Sequence, residues 1–151
     1  MNLISRDRVI AGVEKLRFFP LTVSGGEGAW LIETGGRRLL DLSSTWTACG
    51  LGNGHPAVAA ALARVAASPP GGGALSAIHD EAVSLAEDLL ALVPGAGDRR
   101  VYLGHAGSDA NDVAIRAARH FTGKPVVVAF EGGYHGGIGQ AMAASGVHVA
   151  G

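Results

Sequence analysis

The stretch from Val101 to Phe130 constrains the fold more than any other part of this chain. Val101-Tyr102-Leu103 reads as a short strand, Ser108 to Phe121 as a helix, and Pro125 to Phe130 as a second strand. Val126-Val127-Val128-Ala129 is apolar without alternation, as in a strand covered on both faces. Strand, loop, helix, strand is the right-handed crossover unit of a parallel sheet, so the predicted class is α/β. In such sheets ligands sit beyond the carboxyl ends of the strands. Two glycine-rich stretches follow the strands directly, Gly107-Ser108-Asp109-Ala110-Asn111 and Gly132-Gly133-Tyr134-His135-Gly136. Both are therefore expected on the same edge.

Upstream the pattern is simpler. A short helix is expected around Val9 to Leu16. Gly28 to Leu42 reads as a hairpin, with Ala29–Glu33 and Arg37–Leu42 flanking Gly35-Gly36, a dipeptide that tolerates the positive φ of tight turns. Pro56 suits the first turn of a helix, where its missing N–H is not needed. Val58, Ala61, Leu62 and Val65 follow at helical spacing and are expected to be buried. A further helix, near His79 to Val93, is stopped by Pro94-Gly95-Ala96-Gly97. The expected organisation is an N-terminal segment with a hairpin over residues 1–50 and the beginning of a larger domain over 51–151.

Composition excludes several function classes. A net charge of -1 gives no footprint for nucleic acid or a polybasic membrane anchor. The single Cys49 forms no intrachain disulfide and fits a reducing compartment. No apolar run approaches the ~20 residues of a membrane helix, and the N-terminus lacks a signal-peptide core. A soluble, cytoplasmic protein is expected. The histidines at 55, 79, 105, 120, 135 and 148 show no metal-ligand spacing. Neither a P-loop nor a nucleophile elbow is present.

The two glycine-rich stretches carry the chemistry. Ser108 is a candidate N-cap, and the backbone N–H groups of that first helical turn, with the positive end of the helix dipole, can hold a phosphate. Gly107 lets the backbone approach closely. Gly-Ser opens many helices, so an ordinary capped start is the other reading. Asp109 suits the dipole but repels a phosphate if it points inward. Tyr134, in a loop too glycine-rich for a core strand, can stack on a planar ring or pack back on the fold. His135 is a candidate acid, base or supporting neighbour. Trp46, between the hairpin and the first long helix, is either a core residue or a pocket wall.

The order of these motifs resembles the opening part of the class III, pyridoxal-phosphate-dependent aminotransferases. Gly28-Ala29-Trp30-Leu31 through Leu40-Asp41-Leu42 looks like the family's early hairpin. Gly52-Asn53-Gly54-His55-Pro56 resembles its Gly-His-x-His-Pro turn. Gly107-Ser108-Asp109-Ala110-Asn111 resembles Gly-Ser-Glu-Ala-Asn, and Phe130-Glu131-Gly132-Gly133-Tyr134-His135-Gly136 resembles Phe-x-Gly-x-Tyr-His-Gly. Asp109 is one methylene shorter than the family's glutamate, and His105-Ala106 stands where the family often has Asn-Ser. The resemblance implies a partial fold type I transferase fold and pyridoxal 5'-phosphate as cofactor. It further implies a homodimer that moves an amino group between an amine or amino acid and a 2-oxo acid. Gly107 and Ser108 would hold the phosphate, with Asp109 beside them. Tyr134 would stack on the ring, His135 would support that wall, and Trp46 would face the substrate.

The family's covalent lysine and its ring-nitrogen aspartate come later than the motifs matched here. Lys15 and Lys124 are the two lysines of this chain. Lys124 is expected at the wrong end of its strand, roughly 16 Å from the site at ~3.3 Å per residue. No catalytic lysine is therefore assigned, and the isolated chain is expected to be inactive. Ala150-Gly151 is expected to end in mid-loop, which fits a truncated aminotransferase. The alternatives are a non-catalytic phosphate- or cofactor-binding module and a remnant that needs a second chain.

Overall fold

The computed structural model describes residues 2–12 and 17–148. Lys15, much of the helix expected up to Leu16, and the last residues through Gly151 lie outside them. The chain divides into two compact units, Met1–Pro70 and Gly71–Gly151.

In the first unit a single turn, α1 (Leu3–Arg6), is capped by Asn2, whose side-chain oxygen accepts from Ser5 N–H at 2.9 Å. An antiparallel sheet follows, with β1 (Val23–Glu27), β2 (Trp30–Glu33) and β3 (Arg38–Leu40) in that spatial order. The expected hairpin is β2–β3, shorter than predicted, with Trp30 opposite Leu40 and Ile32 opposite Arg38. Gly36 takes the positive φ of its turn at 86°, and its N–H reaches Glu33 O at 2.7 Å. β1 was not expected. Its Gly25-Gly26 pair is poor strand material by propensity. Gly26 is nonetheless required there, because a Cβ would stand 2.7 Å from Asn53 Cγ. Asn53 bonds Gly28 through both backbone groups, each at 2.8 Å, and pins the following turn to the sheet. α2 (Pro56–Ala67) then starts with Pro56 in its first turn, and His55 Nδ1 accepts Ala57 N–H. Val58, Leu62 and Val65 are exposed rather than buried, at 44%, 67% and 38%.

The second unit contains α3 (Asp80–Leu92), α4 (Gly107–Thr122), α5 (Gly139–Ala143) and a 3-10 turn at Gly146–His148. Arg99 closes α3 by donating to the carbonyls of Leu90 and Val93. Gly123 ends α4 in the left-handed conformation, φ 68°. The crossover unit is realised in its helix only. Val101–Leu103 and Pro125–Phe130 make no strand pairing among the described residues. A strand exists only with a neighbour to take its N–H and C=O groups, and hydropathy alone does not supply one. Val128 stays 93% exposed in consequence. The buried centre of this unit is small: Gly136, Ala141 and Ser145, where α5 meets the glycine-tyrosine loop.

Candidate functional site

The start of α4 differs from the expected cap. Its N-cap is Ala106, extended at φ -157°, and no side chain caps the helix there. Ser108 is the second residue of the helix, two past the cap, and its Oγ accepts the N–H of Gly137 at 3.1 Å. Asp109 does the reaching back. Its carboxylate accepts His105 N–H at 3.0 Å and the Tyr102 hydroxyl at 3.1 Å. A carboxylate in the first turn also suits the helix dipole. The bond to Asp109 is the main cause that raises the Tyr102 pKa above 10.0, followed by burial and by the Asp109 charge. The first helical bond is Ala110 N–H to Ala106 O. The N–H groups of Gly107, Ser108 and Asp109 precede it, as the free donors of a helix start do. The space beside Gly107 is open, with no atom within 4 Å of where a Cβ would stand.

The second motif is laid against this helix. Asn111 Nδ2 donates to His135 O at 2.7 Å. Gln140 N–H donates to Asp112 Oδ1 at 2.7 Å, and Arg119 donates to the Gln140 side chain at 2.8 Å. Gly136, at φ 141°, approaches so closely that a Cβ would lie 2.7 Å from Ser108 Cα. Tyr134 is 64% exposed, and its hydroxyl lies 3.8 Å from the Cβ position of Gly137. His135 is half-buried, and its Nε2 is buried without a hydrogen-bond partner among the described residues. Its backbone N–H goes to Ser145 Oγ at 2.8 Å.

Gly107, Ser108, Asp109, Tyr134 and His135 therefore gather at one end of α4. Trp46 belongs to the first unit and is not a core residue. It is 69% exposed and packs its ring on Phe18 at 5.9 Å between centroids. It sits in a left-handed turn in which Ser44, Thr45, Trp46 and Thr47 all have positive φ. Lys124 follows α4 at the opposite end from Ser108, in a groove with Arg116, Arg119 and His120. Three side chains of the site were not singled out from sequence: Tyr102, Asn111 and Ser145. Asn111 follows Ser108 by three residues, a spacing that shares a helix face, so a signal existed. Ser145 carries no local pattern.

Comparisons with known proteins bear on the family and the fold. The sequence profile of the class-III aminotransferases matches residues 11–149. A glutamate-1-semialdehyde 2,1-aminomutase from Leptothrix cholodnii is 37% identical over 117 residues, 78% of this chain and 26% of that protein. An isoleucine 2-epimerase from Lentilactobacillus buchneri is 31% identical over 122 residues, 81% of this chain and 27% of that protein. The chain thus spans about a quarter of the length of these curated relatives. Among solved structures, an S-selective transaminase from Arthrobacter sp., with alanine bound, superposes with a TM-score of 0.79 at 26% identity. That match covers 95% of this chain and 32% of the transaminase. The profile, the relatives and the fold converge, and the chain belongs to the class-III aminotransferase family.

Proposed function

We propose that these residues form the phosphate-cradle and ring-stacking half of a pyridoxal 5'-phosphate site. The enzyme served would transfer an amino group between an amine or amino acid and a 2-oxo acid. The observation that carries this reading is the bond from Gly137 N–H to Ser108 Oγ, which joins two motifs 29 residues apart at one helix start. The site fits a phosphate: first-turn amides without a hydrogen-bond acceptor among the described residues, open space at Gly107, and a serine beside them. Because Ser108 Oγ already accepts from Gly137, its own hydrogen is available to a phosphate oxygen. The Asp109 carboxylate is held by Tyr102 and His105, which limits its repulsion of that phosphate. Tyr134 would offer a ring face and His135 would back it. When bound, the cofactor supplies an electron sink that these residues themselves lack.

The relatives named above carry out epimerisation, aminomutation and transamination, yet all share the stretch matched here. That favours assigning the cofactor platform to this stretch and the choice of reaction to other residues. Trp46 is the proposed substrate-side residue within it. The division at residue 50, a cytoplasmic location and a homodimer are parts of the same proposal. Among the described residues no helix is long and apolar enough to cross a membrane.

Covalent attachment needs a lysine. α4 has 16 residues, so Lys124 stands ~24 Å along its axis from Gly107 at ~1.5 Å per residue, beyond a lysine side chain's reach. By the family resemblance, the lysine and the ring-nitrogen aspartate would come from a later part of the enzyme, and the chain alone would bind without reacting. The test is an absorbance titration of the chain with pyridoxal phosphate, followed by borohydride reduction and mass analysis. Saturable binding without a lysine adduct, lost in Ser108→Ala or Tyr134→Ala, is expected. An adduct on Lys124 or Lys15 would overturn the half-site reading, and absence of any binding would overturn the cofactor reading.

A further inference from the structure

The loop that carries Tyr134 is poor material for a rigid platform. Four of the six residues from Gly132 to Gly137 are glycine, the residue that loses most conformational freedom on ordering. A stacking residue on such a segment needs its direction imposed from outside. Two side chains do this at consecutive peptide units. Ser145 Oγ accepts the N–H of His135 at 2.8 Å, which fixes the plane between Tyr134 and His135. Asn111 Nδ2 donates to His135 O at 2.7 Å, which fixes the next plane, between His135 and Gly136.

Ser145 is well placed to hold. It is 1% exposed and is the largest fully buried side chain of the described residues. Its single hydrogen faces Ala141 O at 2.9 Å and Gly136 O at 3.1 Å, so the oxygen stays oriented as an acceptor toward His135. Its own N–H bonds Met142 O at 2.9 Å, which ties it to the end of α5. Buried hydroxyls keep such partners because an unpaired one costs desolvation energy. Asn111 sits one helical turn beyond Ser108 and is carried by the same rigid element. The phosphate cradle and one of the two clamps thus move together.

We propose that Ser145 and Asn111 are positioning residues that set the direction of the Tyr134 ring. They act through the His135 backbone. What the ring stacks on rests on the cofactor reading above; the clamp itself does not.

The test labels the chain with 3-fluorotyrosine. Its two tyrosines, Tyr102 and Tyr134, give two fluorine resonances, and Tyr102 serves as the internal reference. Asn111→Ala and Ser145→Ala should each move the Tyr134 resonance toward that of free fluorotyrosine and leave Tyr102 in place. Ser145→Thr, which keeps the hydroxyl, should restore it. Pyridoxal phosphate binding should weaken about 3- to 10-fold in the alanine variants, as for loss of one orienting hydrogen bond. Affinity for inorganic phosphate should stay within about 2-fold, because Ser108 and the first-turn amides remain. Should Ser145→Ala fail to fold, the exposed Asn111→Ala carries the test. An unmoved Tyr134 resonance in Asn111→Ala would overturn the clamp, as would an equal loss of phosphate affinity, which would signal general collapse. A moved resonance in a chain that binds phosphate but not pyridoxal phosphate would support the clamp and refute the cofactor.

Discussion

Replacing Gly136 with alanine probes how tightly the glycine-tyrosine loop is pressed onto α4. Gly136 is buried at φ 141°, and an added Cβ would stand 2.7 Å from both Cα and Oγ of Ser108. The hydroxyl could rotate away, at the expense of the Gly137 N–H bond. The Cα belongs to the helix and cannot. Holding an L-residue at such a φ costs about 1–3 kcal/mol. Forcing a methyl group into filled space costs a further ~1–3 kcal/mol, and the lost hydrogen bond about 1 kcal/mol. With partial relaxation the loss comes to roughly 3–5 kcal/mol, a large part of a typical domain's stability. Gly132→Ala is the control, since Gly132 has φ 73° but no atom within 4 Å of its Cβ position. It should lose only about 1–2 kcal/mol, from backbone strain. Urea denaturation of the two variants, with amide exchange read at Gly137, measures the difference. Gly136→Ala should be about 2–3 kcal/mol less stable than the control, with its Gly137 amide exchanging freely. Equal losses, with the amide still protected, would refute the close approach.

Two further outcomes follow from local geometry. Tyr102 donates to Asp109, and its raised pKa means that the neutral phenol adds stability below its ordinary value of 10.0, lost as pH rises through the folded pKa. In a Tyr134→Phe background the phenolate absorbance of Tyr102 should titrate above 10.0, and Asp109→Asn should lower the midpoint; an unchanged midpoint would sink the assignment. Thr47 holds φ 67°, an outlier for a β-branched residue. Thr47→Gly should gain about 0.5–1 kcal/mol in urea denaturation, as ~1–2 kcal/mol of strain relieved exceeds the entropy cost of glycine. A loss would mean that the turn is not strained.

How far the fold could be read from sequence depended on how local each cause was. α3 and α4 appear within a residue or two of their predicted spans and α2 starts at Pro56 as expected, because helical spacing, proline and glycine stops act within a turn or two. The Gly35-Gly36 turn was legible for the same reason. β1 was not: its Gly25-Gly26 pair masks a hairpin with the adjacent β2, and the Asn53 side chain that packs on Gly26 is distant in sequence. Val101–Leu103 and Pro125–Phe130 failed in the opposite direction. Their apolar character predicts sheet strands, one of them covered on both faces, but among the described residues neither finds a ladder partner and Val128 stands 93% exposed. The stripe of Val58, Leu62 and Val65 also stands exposed.

The site divides along the same line, and Ser108 shows why. Capping preference assigned its hydroxyl to the backbone just ahead, the partner that residue type favours. The folded chain gives it the Gly137 N–H instead, a donor 29 residues away that becomes available only when Gly136 folds flat against the helix. Motifs proposed to touch a ligand can be recognised because their chemistry is set by residue type within a few positions. Residues that aim those motifs obey no such spacing. Asn111 was half-visible through its shared face with Ser108, and Ser145 not at all, since its bonds to His135, Gly136 and Ala141 form only around a loop closed by other contacts. A glycine-rich platform that obtains its rigidity from residues outside it will therefore show its contact residues in sequence and conceal its supports.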